Sequence, residues 1–129
     1  MSVDEVMADL AVGTPKLWLT WKTLQLRKRR PEAFEGDYTP LIASGRDAAG
    51  VLAFSRGNAL VTVVPRLVAR HGHGNGGLHD RDARVPLHEG AWRDVLTGHR
   101  FTGDGLSGEG LAVGAILARF PVALLEREP

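Results

Sequence analysis

VLAFSRGNALVTVVP, residues 51–65, decides the fold class. Two runs rich in β-branched and aromatic residues flank Gly57 and Asn58, a turn-forming pair, and this spacing predicts a β-hairpin. Working outward, YTPLIA (38–43) precedes it across the turn-like SGRDAAG. ARVPL (83–87), WRDVLT (92–97), HRFTG (99–103) and ARFPVALLER (118–127) follow as further strand candidates. Strands at this interval with no long helix between them imply an antiparallel sandwich or barrel and not a βαβ fold. Pro40, Pro65, Pro86 and Pro121 fall in or beside these runs, which favours edges, strand starts or bulges there. LAVGAILARF (111–120) fits a short helix or a buried run equally well.

The first third of the chain has a different pattern. SVDEVMADL reads as a short helix with Ser2 as N-cap and Glu5 at the capping-box position, and Gly13 ends it. A second helix starts at TPKL, where Thr14 can cap and Pro15 loses no hydrogen bond at the first helical position. Leu17, Trp18, Trp21 and Leu24 form a stripe at the helical period, expected to face a core. Leu19 and Leu26 fall together on the other side. Isolated surface leucines are common, yet two apolar faces also suggest two neighbours, one of them outside the chain. Pro31 ends the helix, after four consecutive basic residues, Arg27 to Arg30, that complement the negative end of the helix dipole.

The totals limit the function classes. At 129 residues the chain is the size of one ordinary domain, and 43% hydrophobic with 24% charged residues is a globular composition. Sixteen basic against fifteen acidic residues give a formal charge of +1, which supplies no global field for a polyanion. Nucleic-acid binding would have to rest on residues 27–30 alone, where no aromatic is interleaved, so no nucleic-acid partner is expected. The chain has no cysteine, so disulfides and thiolate chemistry are excluded. No positively charged leader opens the chain and no apolar run reaches the roughly 18 residues of a membrane span. The expected location is cytoplasmic, with no membrane partner.

Several groups could carry chemistry, and each has a plainer reading. His71, His73, His79 and Asp80 are zinc-type ligands, but they sit in a stretch dominated by glycine and asparagine, which reads as a flexible loop. GDGLSGEG (103–110) lacks the spacing and the lysine of a phosphate loop and is expected to be a turn. Asp80, Asp82, Glu89, Asp94, Asp104 and Glu109 could form a glycosidase carboxylate pair, yet all lie in turns or exposed stretches. Trp18 and Trp21 are expected in the core, which leaves Trp92 as the one tryptophan available to stack against a sugar. No metal, cofactor or catalytic residue is implied.

Taken together, PKLWLTWKTLQLRKRRPEAFEGDYTPL, VLAFSRGNALVTVVPRLVAR, WRDVLTG and LARFPVALLE resemble the carboxyl-terminal region of maltooligosyl trehalose synthase, of the α-amylase superfamily (glycoside hydrolase family 13). Four blocks in the family's order cover nearly the whole chain. The resemblance implies an enzyme that converts the reducing-end α-1,4 bond of a maltooligosaccharide to an α,α-1,1 bond by intramolecular transglycosylation. Its carboxylates belong to a barrel of about 250 residues, far longer than this chain, so no catalytic position is carried over. The implied fold is mainly β with N-terminal helices: residues 1–34 equivalent to the end of the barrel region, and 35–129 an antiparallel β-sandwich of the amylase C-terminal type. The implied role is structural, with Leu19 and Leu26 facing the barrel or, in the isolated chain, a second copy. The alternative is a stand-alone module holding α-glucan through Trp92.

Overall fold

The computed structural model describes residues 14–66 and 82–128. The expected helix over residues 2–10 and the histidine-rich stretch around 71–80 lie outside them. The described chain starts with helix α1 (Thr14–Arg29), followed by a 3-10 turn over Pro31–Glu35, β1 (Tyr38–Leu41) and a 3-10 turn over Ala48–Gly50. The hairpin strands β2 (Val51–Arg56) and β3 (Leu60–Pro65) come next. After residue 82 come β4 (Arg84–Val85), β5 (Leu87–Asp94), β6 (Arg100–Gly105), β7 (Leu111–Ala112), the one-turn helix α2 (Val113–Ile116) and β8 (Ala123–Arg127).

Six strands form one antiparallel sheet in the order β1-β2-β3-β8-β5-β6, and β4 pairs with β7 in a separate two-stranded ribbon. The mainly β, antiparallel fold expected from the strand spacing is observed, with the helix ahead of it. The hairpin at 51–65 forms, but its turn takes three residues: Arg56 pairs with Leu60, and the Ala59 amide donates to the Arg56 carbonyl. Pro86, which has no amide to give a ladder, separates β4 from β5. LAVGAILARF divides between β7, α2 and the loop after it.

Strand alternation sorts side chains onto two faces. On one face Val51, Ala53, Val61, Val63, Trp92 and Leu125 meet Val85 of β4 and Val113 and Ile116 of α2 in the inter-sheet core. Gly103 allows the tight β5–β6 pairing at a bulge, since a Cβ there would lie 2.2 Å from the His88 carbonyl oxygen. On the other face α1 packs through Trp18 and Leu26 onto Leu60, Leu124, Leu96 and Phe120.

That packing reverses the expected orientation of α1. Leu26 is 1% exposed and Leu19 is half-buried, whereas Leu17, Trp21 and Leu24 of the expected core stripe point to solvent; Trp18 alone of the stripe is buried. Periodicity finds two apolar sectors on this helix but does not rank them. Leu26→Ala is therefore expected to destabilise the chain by about 2–5 kcal/mol and Leu24→Ala by no more than about 0.5 kcal/mol, measured by urea denaturation.

Candidate docking surface

The orientation of α1 is set at both ends by polar contacts on the sector that carries Leu26. Near the N-terminal end the Trp18 indole N–H donates to the Leu96 carbonyl, 2.9 Å away and buried. At the C-terminal end Arg29 donates both Nη atoms to the two oxygens of Glu126 at 2.8 and 3.0 Å, and Arg30 adds a third bond to the same carboxylate at 3.0 Å. Arg93 of β5 stands 3.8 Å from it on the other side. The basic run is thus divided: Arg29 and Arg30 clamp helix to sheet, and Arg27 and Lys28 are exposed. The sequence signal for this clamp is the one acid inside the apolar run ALLE of β8, which on a central strand needs a cationic partner.

What α1 turns outward is apolar. Leu17 is 70% exposed, Leu24 57% and Trp21 51%. At i, i+4 and i+7 they make one continuous stripe. Trp21 is braced edge-to-face against Trp18, with centroids 5.6 Å apart, and the Lys22 ammonium lies 4.9 and 5.3 Å from the two ring centres. The ring is held in a fixed position while a large part of it stays in water. The stripe lies opposite the buried face of the same helix and leaves three large apolar side chains in water.

The other sequence-derived candidates are placed differently. Trp92 is fully buried in the inter-sheet core, its indole N–H donates to the His88 carbonyl at 2.9 Å, and Arg127 caps its ring at 6.0 Å. It has no face left for a sugar. Leu26, expected at an interface outside the chain, belongs to the core, and Leu19 lies along the helix flank. Leu26 therefore has no surface to offer a second copy, and Leu19 offers only part of its side chain.

Two proteins from strains of Mycobacterium tuberculosis, both provisionally named maltooligosyl trehalose synthase, are 38% identical to the chain over 119 residues, which is 92% of this chain and 14% of each of theirs. The chain is a relative of these synthases. The solved structure of maltooligosyltrehalose synthase from Arthrobacter ramosus superposes on 90% of the chain with a TM-score of 0.70 and 30% identity, again over 14% of that protein. A further crystal structure of maltooligosyl trehalose synthase covers 95% of the chain at a TM-score of 0.55 and 25% identity. No protein-family model matches the chain. The resemblance read from the four sequence blocks to the carboxyl-terminal region of the synthases holds.

For a relative of the synthases, the carboxylates are the groups to account for. Asp82 accepts the Arg46 amide, Asp104 the Glu109 amide, and Asp94 the amides of Leu96 and Leu124, at 2.9 and 3.4 Å. Among the described residues no cluster of three metal-ligand side chains occurs, and no helix is long and apolar enough to cross a membrane. Asp94 was read as a surface acid, but it is completely buried at the end of β5. Burial pushes its carboxyl up to about 6, against the opposing pull of the Leu96 and Leu124 amides, Thr97 and His99. Burial also raises Glu126, but the hydrogen bonds and charges of Arg29 and Arg30 outweigh it and hold that carboxyl below its ordinary value of 4.5.

The two acids act on stability in opposite directions. The contribution of Asp94 is complete below its ordinary value of 3.8 and is lost as pH rises through about 6. That of Glu126 is present above 4.5 and is lost as pH falls through its lowered value. Their sum is expected to peak between 3.8 and 4.5, where the two slopes offset one another, and to fall from there to about 6. Asp94→Asn should flatten the alkaline limb, stabilising the chain at pH 8 by up to about 3 kcal/mol and having little effect at pH 4. Thermal melts of both proteins across this range test it.

Proposed function

We propose that the chain is the carboxyl-terminal structural domain of a maltooligosyl trehalose synthase and has no catalytic activity by itself. The observation that carries the reading is the extent of the match, nearly all of this chain against 14% of proteins bearing that name. In this reading the rest of the polypeptide supplies the barrel and the carboxylates that convert the reducing-end α-1,4 bond of a maltooligosaccharide to an α,α-1,1 bond in the cytoplasm. Residues 1–34 correspond to the end of the barrel region and 35–129 to the sandwich.

Docking to the barrel falls to the outer stripe of α1. Leu17, Trp21 and Leu24 replace Leu19 and Leu26 in the role given to a second apolar face. The α-glucan module is the weaker reading, because its intended platform, Trp92, is buried. If the outer stripe met a second copy instead, the isolated chain would dimerise through it.

Substituting this chain for the matched segment of the Arthrobacter ramosus enzyme tests the proposal. The hybrid is expected to form maltooligosyl trehalose from maltohexaose, the isolated chain to form none, and the hybrid carrying Leu17→Asp with Leu24→Asp to lose both activity and thermal stability. Turnover by the isolated chain would overturn the reading. So would full activity of the doubly substituted hybrid, because docking through α1 would then be unnecessary.

A further inference from the structure

Among the described residues, the helix-covered face of the large sheet is only partly covered. Six strands at about 4.8 Å spacing span roughly 24 Å, whereas a helix with its side chains is about 10 Å across. Helix α1 lies over β8 and β3. To one side, β5 and β6 present Ala91, Arg93, Arg100, Thr102 and Asp104 on this face, a surface suited to water. To the other side, β1, β2 and β3 present Tyr38, Pro40, Leu52, Phe54 and Val64. Tyr38 is 53% exposed and Leu52 42%.

This apolar shelf is continuous with a trough of about 440 Å³. Its floor is Phe54, Thr62 and Leu124, and its walls are Leu19 and Thr23 of α1 with Phe34 of the 3-10 turn. The Tyr38 and Phe54 rings stack at 4.9 Å and fix the outer rim. Arg56 also lines the trough. Its guanidinium donates a long 3.5 Å bond to the Phe34 carbonyl, and among the described residues no carboxylate pairs with it.

We propose that the shelf and trough seat a second amphipathic α-helix lying beside α1, supplied by the part of the longer synthase polypeptide that this chain does not match, with an acidic residue placed against Arg56. The uncovered width, about two strands, accepts one helix. The lining is mostly aliphatic and aromatic, with Thr23, Thr62 and Arg56 as its polar side chains, so most hydroxyls of a glucan would go unpaired there. The unpaired guanidinium selects an acid at one end of the incoming helix. The inference rests on the proposed function for the existence of that polypeptide and adds a surface separate from the outer stripe of α1.

Hydroxyl-radical footprinting of the isolated chain and of the Arthrobacter ramosus hybrid separates the possibilities. Tyr38, Leu52 and Phe54 are expected to be modified about fivefold more slowly in the hybrid, as side chains are when an interface core excludes water. Arg56→Glu should restore their modification and Arg56→Lys should not. Protection of Trp21 and Leu24 with none at the shelf would overturn the second helix and leave the proposed function standing. Protection at neither surface would overturn both. Shelf protection that appears in the isolated chain, whether with rising protein concentration or on adding maltohexaose, would assign the trough to a second copy or to glucan and overturn the inference.

Discussion

The carboxylate of Glu126, held by Arg29 and Arg30, fixes the arrangement of the helix on the sheet. β8 is an inner strand, and on its α1 side Glu126 sits where an unpaired carboxylate would cost several kcal/mol. The bidentate contact from Arg29 and the single bond from Arg30 satisfy it only when the helix presents the sector containing residues 18, 26, 29 and 30. Each residue turns a helix by about 100°, so rotating Leu24 into the core would carry both arginines away from the carboxylate. Leu26 is buried and Leu24 exposed for an electrostatic reason as much as an apolar one.

That rotation has a consequence for the surface. Helix α1 buries one apolar sector and leaves a second in water, and among the described residues its narrow footprint leaves the β1–β2 side of the sheet face uncovered as well. A self-sufficient domain would place polar residues at both positions, as the β5–β6 half of the same face does. Of the two halves of one sheet face, one carries the polar side chains that suit water and the other carries the apolar ones for which a neighbour is proposed. It is consistent with a match to only a small part of the longer synthases.

Strand content was legible because its signals are local. Alternating apolar residues, Gly57 with Asn58, and the prolines mark β2, β3 and the break at Pro86 without reference to anything distant. The end of α1 before Pro31 was legible for the same reason. The facing of α1 was not, since its deciding partners, Leu96 and Glu126, are 78 and 97 residues away from Trp18 and Arg29. Trp92 and Asp94 were misplaced by a related omission. Each lies on β5, and burial there depends on β8 and α2 arriving from later in the chain. The acid within ALLE was the one sequence feature that pointed to the clamp, and it gains meaning only once β8 is known to be an inner strand.

The two anchors of α1 also account for the form of the trough. Trp18 and Arg29 are 11 positions apart, about 16 Å along the helix. One is held by a buried neutral hydrogen bond to the β5–β6 turn, the other by charge to β8. Two fixed points that far apart set the direction of the helix axis across the strands as well as its height above them. Leu19 and Thr23 lie between the anchors, so the wall they form is rigid before anything occupies the trough. Asp94 extends the same restraint inward, because the turn whose Leu96 carbonyl receives the Trp18 indole is itself held by the Asp94 carboxylate through the Leu96 amide. A groove with a preset wall and a stacked aromatic rim lowers the ordering cost of whatever docks there, which favours a rigid partner such as a helix over a flexible strand.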